Sequence, residues 1–169
     1  MKKYLLLINL SIFTFLNTNS VESKAMQSQM MKNCSDCIGI CNQCIADCIT
    51  CKNACNTPPS NSSNTATYNL CIEKCQNCIN QCQVCIDVCN ACIKNPTNMK
   101  LMRQCMNACM ECATACESCK AACNACKIIC TTDNYPKGLA ACSECIKSCQ
   151  TCINICNKCF ETCSAMIRN

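Results

Sequence analysis

Residues 71–92 read Cys71-Ile-Glu-Lys-Cys75-Gln-Asn-Cys78-Ile-Asn-Gln-Cys82-Gln-Val-Cys85-Ile-Asp-Val-Cys89-Asn-Ala-Cys92, so the thiols are separated alternately by four and three positions. A β-strand would scatter them over both faces, because odd and even steps point opposite ways. An α-helix gathers all of them on one stripe. They occupy the a and d positions of a heptad, where a coiled coil carries Leu and Ile. Ile72, Ile79, Ile86 and Ile93 follow alternate Cys residues and widen the stripe to the face a bundle helix needs. The remaining positions are mainly Asn, Gln, Lys, Glu and Asp, which predicts a solvated opposite face.

The same rhythm recurs in three further blocks. One comprises Cys34, Cys37, Cys41, Cys44, Cys48, Cys51 and Cys55, flanked by Ile38 and Ile45. Another comprises Cys105, Cys109, Cys112, Cys116, Cys119, Cys123, Cys126 and Cys130; here Ala108, Ala115 and Ala122 flank the thiols and allow close helix approach. The last comprises Cys142, Cys145, Cys149, Cys152, Cys156, Cys159 and Cys163, with Ile146, Ile153 and Phe160 beside them. Together with Cys71–Cys92 these are the 29 Cys of a 169-residue chain. Each block is long enough for a helix of about 33 Å at about 1.5 Å per residue.

Polar, breaker-bearing segments separate the blocks. Asn56–Asn69 carries Pro58, Pro59 and a Ser/Asn run and reads as a loop. Asn95-Pro96-Thr97 closes the second block, with Thr97 placed to cap the next helix. Asp133–Gly138 divides the third block from the fourth. Connections of these lengths favour antiparallel neighbours. The expected fold is all-α: an up-down-up-down antiparallel four-helix bundle with a Cys-lined lumen, its helices at about 26–55, 68–94, 98–131 and 139–167.

Composition narrows the function. Trp and His are absent and the net charge is +5, with the charges scattered. A nucleic-acid surface needs a basic stripe with stacking aromatics, and neither is present. Without His there is no Cys–His nucleophilic pair and no mixed Cys/His zinc site. No constellation of side chains argues for an enzyme.

At the N-terminus, Lys2 and Lys3 precede a largely apolar run from Tyr4 to Leu16, followed by small residues. This reads as a secretory signal over residues 1–23, without a twin-Arg motif, and predicts export to the periplasm or beyond. The apolar run is short for a bilayer span, so no stable membrane span is expected once the signal is removed. The mature unit would be residues 24–169.

Three occupants of a thiol-filled core compete. Cys as a plain small hydrophobe would leave every layer underfilled relative to Leu. A disulfide-rich extracellular structural protein suits an exported chain, but an odd number of thiols leaves one over, and neighbours along one helix bridge poorly. Metal is the third: thiolates select Cu(I), Zn(II) and iron–sulfur clusters. Ferredoxin-type Cys spacings are missing. Zinc wants four thiolates and leaves a doubly negative site, as in a metallothionein-like buffer. Cu(I) accepts two thiolates that can bridge between ions, so multiple Cu(I) ions form a nearly neutral array.

With its four helical blocks of CxxC and CxxxC repeats, such as Cys34-Ser-Asp-Cys37 and Cys71-Ile-Glu-Lys-Cys75, the chain from about residue 30 to 166 resembles the bacterial copper storage protein family. The resemblance implies a four-helix bundle that stores many Cu(I) ions along its lumen, often as a homotetramer. A copper chaperone or a copper enzyme is the expected exchange partner of such a store. The chain departs from that family in lacking His and in its density of Cys.

Extending the heptads past their last thiols reaches Met30, Met102 and Met166, all at one end of an up-down-up-down bundle. The second helix contributes Pro96 there, beyond Cys92. Met26, Met31, Met99, Met106 and Met110 lie near the same end. Stepping past the thiols at the other end reaches Tyr68 and Leu139. A thioether mouth for Cu(I) and an opposite, plugged end follow as expectations; Met as filler of irregular helix ends is the alternative.

Overall fold

The computed structural model describes the backbone of residues 2–60 and 62–168, and side chains from residue 22 onward within those ranges. Four helices make up almost all of it: α1 Lys2–Cys55, α2 Thr65–Lys94, α3 Met99–Thr132 and α4 Pro136–Arg168. Each packs against its two sequence or cyclic neighbours (α1 on α2 and α4, α3 on α2 and α4), while diagonal pairs stay apart. This is the expected antiparallel bundle with a square cross-section. Among the described residues there is no strand, and no helix is long and apolar enough to cross a membrane.

Helix ends follow local chemistry. The α2–α3 turn is capped by Asn98, whose side chain accepts from the Lys100 and Leu101 amides. Thr97, the expected cap, lies one residue too early to reach those amides. Helix α4 starts at Pro136 rather than at 139, since Pro is preorganised for a first helical position and has no amide to leave unpaired. Helix α2 starts at Thr65, four residues before the expected end of the loop at Asn69. Helix α1 runs back to Lys2 instead of starting near 26. Of the expected signal segment, side chains 1–21 fall outside the described residues.

The Cys stripes build the core. Twenty-nine Cys are buried, and Ile86, Ile153, Ala108, Ala115 and Ala122 join them on the flanks as the heptads require. Ile38, Ile45, Ile72, Ile79, Ile93, Ile146 and Phe160 are half-buried against this core. One position departs from the expected polar exterior: Asn33 is 1 % exposed. Its amide donates to Thr162 Oγ1 of α4 at 2.7 Å and its carbonyl accepts from Gln29 at 2.8 Å, which removes the cost of burial.

Candidate metal centre

The antiparallel register stacks the thiols in layers, one from each helix. Nearest the Met end, Cys34, Cys89, Cys105 and Cys159 have all four Sγ atoms within 4.8 Å of one another, as do Cys37, Cys85, Cys109 and Cys156 in the next layer. Cys41, Cys82, Cys112 and Cys152 follow, with Cys82–Cys112 at 3.6 Å and Cys41–Cys152 at 3.7 Å. Cys44, Cys78, Cys116 and Cys149 form the fourth layer. In the fifth, Cys48–Cys145 and Cys119–Cys75 approach to 3.6 Å. In the sixth, Cys51 meets Cys71, Cys123 and Cys142, each at 3.7 Å. Six such layers leave five thiols: Cys92 and Cys163 towards the Met end, Cys55, Cys126 and Cys130 towards the other.

Contact is continuous along the axis as well as across it. Within a helix, Cys37–Cys41 approach to 3.9 Å and Cys152–Cys156 to 4.0 Å. Four-thiol groups also overlap: Cys44 and Cys116 belong both to the group with Cys78 and Cys149 and to the group with Cys82 and Cys152. The lumen is therefore one ladder of soft donors rather than a row of separate cages. All twenty-nine thiols are free.

Electrostatics are set by the thiols themselves, because among the described residues the buried set holds, besides Cys, only Asn33 and the Tyr68 hydroxyl as polar groups and no charged residue. A thiolate in such an array is stabilised by S–H donors around it, and those donors keep their protons in turn. Hydrogen bonds from Cys123, Cys145, Cys149 and Cys48 pull Cys119 down to about 7. The bond to Cys119, with those to Cys142, Cys145 and Cys51, holds Cys123 well above the ordinary thiol range. Cys105 is likewise lowered by Cys109, Cys159, Cys163 and Cys34. At the far end, burial pushes Cys130 up to about 12. The thiols along the ladder are thus shifted unevenly, some up and some down.

The two ends differ. Met30 and Met102 are buried and Met166 is half-buried against the core; Met30 Sδ lies 3.7 Å from Cys34 Sγ. At the opposite end Tyr68 is buried and its hydroxyl donates to Asp133 Oδ2 at 3.1 Å, while Cys130 Sγ sits 3.9 Å from that hydroxyl. Asp133 also accepts from Ser62 at 2.5 Å and Asn64 at 3.4 Å, tying the α1–α2 linker over the end. Tyr135 completes the cover by donating to the Ala54 carbonyl at 3.1 Å. Gly138 is required here, since any Cβ would collide with the Tyr135 ring and the Cys130 sulfur. Tyr68 is the plug residue the heptad located. Leu139 is half-buried beside the core. Asp133 and Tyr135 lie off the thiol period, and the sequence signal for them is only the Asp-Asn-Tyr-Pro turn.

Among the described residues, then, buried Cys groups able to hold metal ions fill the lumen from one end to the other. No family model matches the chain, and no characterised protein or solved structure matches it significantly.

Proposed function

We propose that this protein binds and stores multiple Cu(I) ions along its thiol ladder. The observation that carries the reading is the sharing of thiols between successive four-Cys groups, as with Cys44 and Cys116. Isolated tetrathiolate zinc sites have no use for shared donors. A bridging thiolate between Cu(I) ions needs them. The absence of any buried cationic side chain among the described residues supports the same choice. Each Zn(II) bound by four thiolates would leave two uncompensated negative charges in a dry core, whereas about one Cu(I) per thiolate is nearly neutral. The mouth formed by Met30, Met102 and Met166 supplies neutral soft donors at one end, and Tyr68 with Asp133 covers the other, so loading proceeds from the Met end.

No catalysis is proposed; storage requires only donors, an access route and retrieval. The segment 1–23 is read as an export signal, so storage takes place outside the cytosol, with a copper chaperone or copper enzyme as exchange partner and a homotetramer as the assembly implied by the family resemblance.

Proton release tests the reading. Thiols that hold their protons must lose them on binding. Anaerobic loading in weak buffer should release about one proton per Cu(I) from the bridged array, against about four per Zn(II) at separate tetrathiolate sites. Release of about four protons for each Cu(I) would refute the bridged array.

A further inference from the structure

A core seam made of one residue type carries no information about which thiol belongs opposite which. Sliding one helix along the bundle by a heptad restores the a/d pattern, and every Cys again meets Cys. Short connections forbid this for three helices: residues 95–98 join α2 to α3, and 133–135 join α3 to α4. The α1–α2 linker, residues 56–64, is longer, and a heptad step is about 10.5 Å. Nine residues reach up to about 30 Å, so the linker itself tolerates such a slip. Helix α1 is the element whose register the thiols and the chain leave open.

We propose that the α1·α4 seam pins this register through Asn33–Thr162 and Asp47–Ser148. Asn33 donates to Thr162 Oγ1 at 2.7 Å, and Ser148 Oγ donates to Asp47 Oδ2 two heptads further along α1. The same register sets Ile40 level with Ile155, buried at 9 % exposure, and Ala54 level with Ala141, with which it lines one groove. Along the seam the pairs are therefore polar, aliphatic, polar and small. A slip of one heptad in either direction mismatches them. Moved towards the closed end, Asn33 faces Ile155 and Ile40 faces Ser148; moved the other way, Asp47 faces Ile155 and Ile40 faces Thr162. The buried Asn33 amide against an Ile side chain loses its Thr162 acceptor, and the half-buried Asp47 loses Ser148 and keeps only Gln43 of its own helix, which selects against both slipped states. Tyr135, through Ala54, adds a tie at the closed end. A slip towards the Met end would also carry Cys34 to the level now held by half-buried Gln27, at the edge of the lumen, while Cys37 takes the buried place of Met30.

The test uses the reduced, metal-free full chain with labelled Ile methyl groups, so it is independent of which ion the lumen holds. In the wild type, Ile40 should give one methyl signal with a nuclear Overhauser contact to Ile155. The variant Asn33→Ile/Asp47→Ile, with an apolar seam that no longer discriminates, should show at least two Ile40 signals and a weakened contact to Ile155. It should also gain one thiol, Cys34, that reacts quickly with an aqueous reagent. The exchange Asn33→Thr/Thr162→Asn, which restores the pair in reverse, should return a single signal. A single Ile40 signal with the Ile155 contact intact in Asn33→Ile/Asp47→Ile would overturn the proposal, as would signal splitting in the exchange variant. If the double variant does not fold, Thr162→Val/Ser148→Ala, which takes the α4 partners from both Asn33 and Asp47, provides the same reading: two signals support the pin, one overturns it.

Discussion

Replacing Tyr68 with Ala is expected to lower the stability of the metal-free protein by about 3–5 kcal/mol, the range for removing a large buried aromatic from a packed site. Among the described residues Tyr68 is the largest fully buried side chain, and the core it joins consists mainly of small Cys residues that cannot fill its volume. Tyr68→Phe separates the ring from the hydroxyl. It keeps the ring and loses the bond to Asp133 and the weak one accepted from Cys130, so it should cost about 1–3 kcal/mol. Denaturant unfolding of the reduced proteins measures both. In Tyr68→Ala, Cys130 should also become reactive towards aqueous thiol reagents, because the hydroxyl 3.9 Å from its sulfur and the ring above it are gone. Equal stability of the Ala and Phe variants would show that the ring does not seal this end.

Alkaline pH should unfold the metal-free protein and spare the loaded one. The sign follows from thiols that the fold keeps protonated. Cys130 is raised by burial from an ordinary 9.0 to about 12, so its contribution is complete below pH 9 and is lost as pH rises towards 12. At about 1.4 kcal/mol for each tenfold change in acidity, this one thiol accounts for at most ~4 kcal/mol. Tyr68, raised by burial and by its bonds to Cys130 and Asp133, acts in the same direction at the upper end of that window. Because a domain of this kind has only about 5–15 kcal/mol to lose, its melting temperature should fall steeply between pH 9 and 12. Metal-bound thiolates have already released their protons, so the loaded protein should show little change there. Loading also stabilises by mass action, with about 2.7 kcal/mol for each independent site at a hundredfold excess of free ion over its Kd. A metal-free protein as resistant at pH 11 as at pH 8 would contradict this account of the thiol array.

The bundle could be read from the sequence because nearly every core position is constrained by the same rule. A run of alternating three- and four-residue steps is compatible with one helix and one stripe, and four such runs leave one way to point every thiol inward. Tyr68 and the three lumen-end Met residues came from the same arithmetic carried past the last Cys. What stayed hidden has no periodic mark. Asn33 is chemically like the many Asn residues on the outer faces, and only its partner on α4, 129 residues away, makes it a buried one. Asp133 became the centre of the closed end through bonds from Ser62, Asn64 and Tyr68, contacts that a turn motif does not announce. Helix starts moved for similar reasons: Asn98 rather than Thr97 sits where its side chain reaches the first free amides of α3.

The choice of cargo rests on the overlap of the thiol groups, and the number of ions bound measures that overlap directly. Twenty-nine thiols divided into separate tetrathiolate sites can hold no more than about seven ions, whereas a bridged array approaches one Cu(I) per Cys. Anaerobic titration of the reduced protein with Cu(I), in competition with a chromogenic chelator, should therefore saturate well above ten ions per chain and near the thiol count. A plateau at seven or fewer would contradict a continuous Cu(I) store.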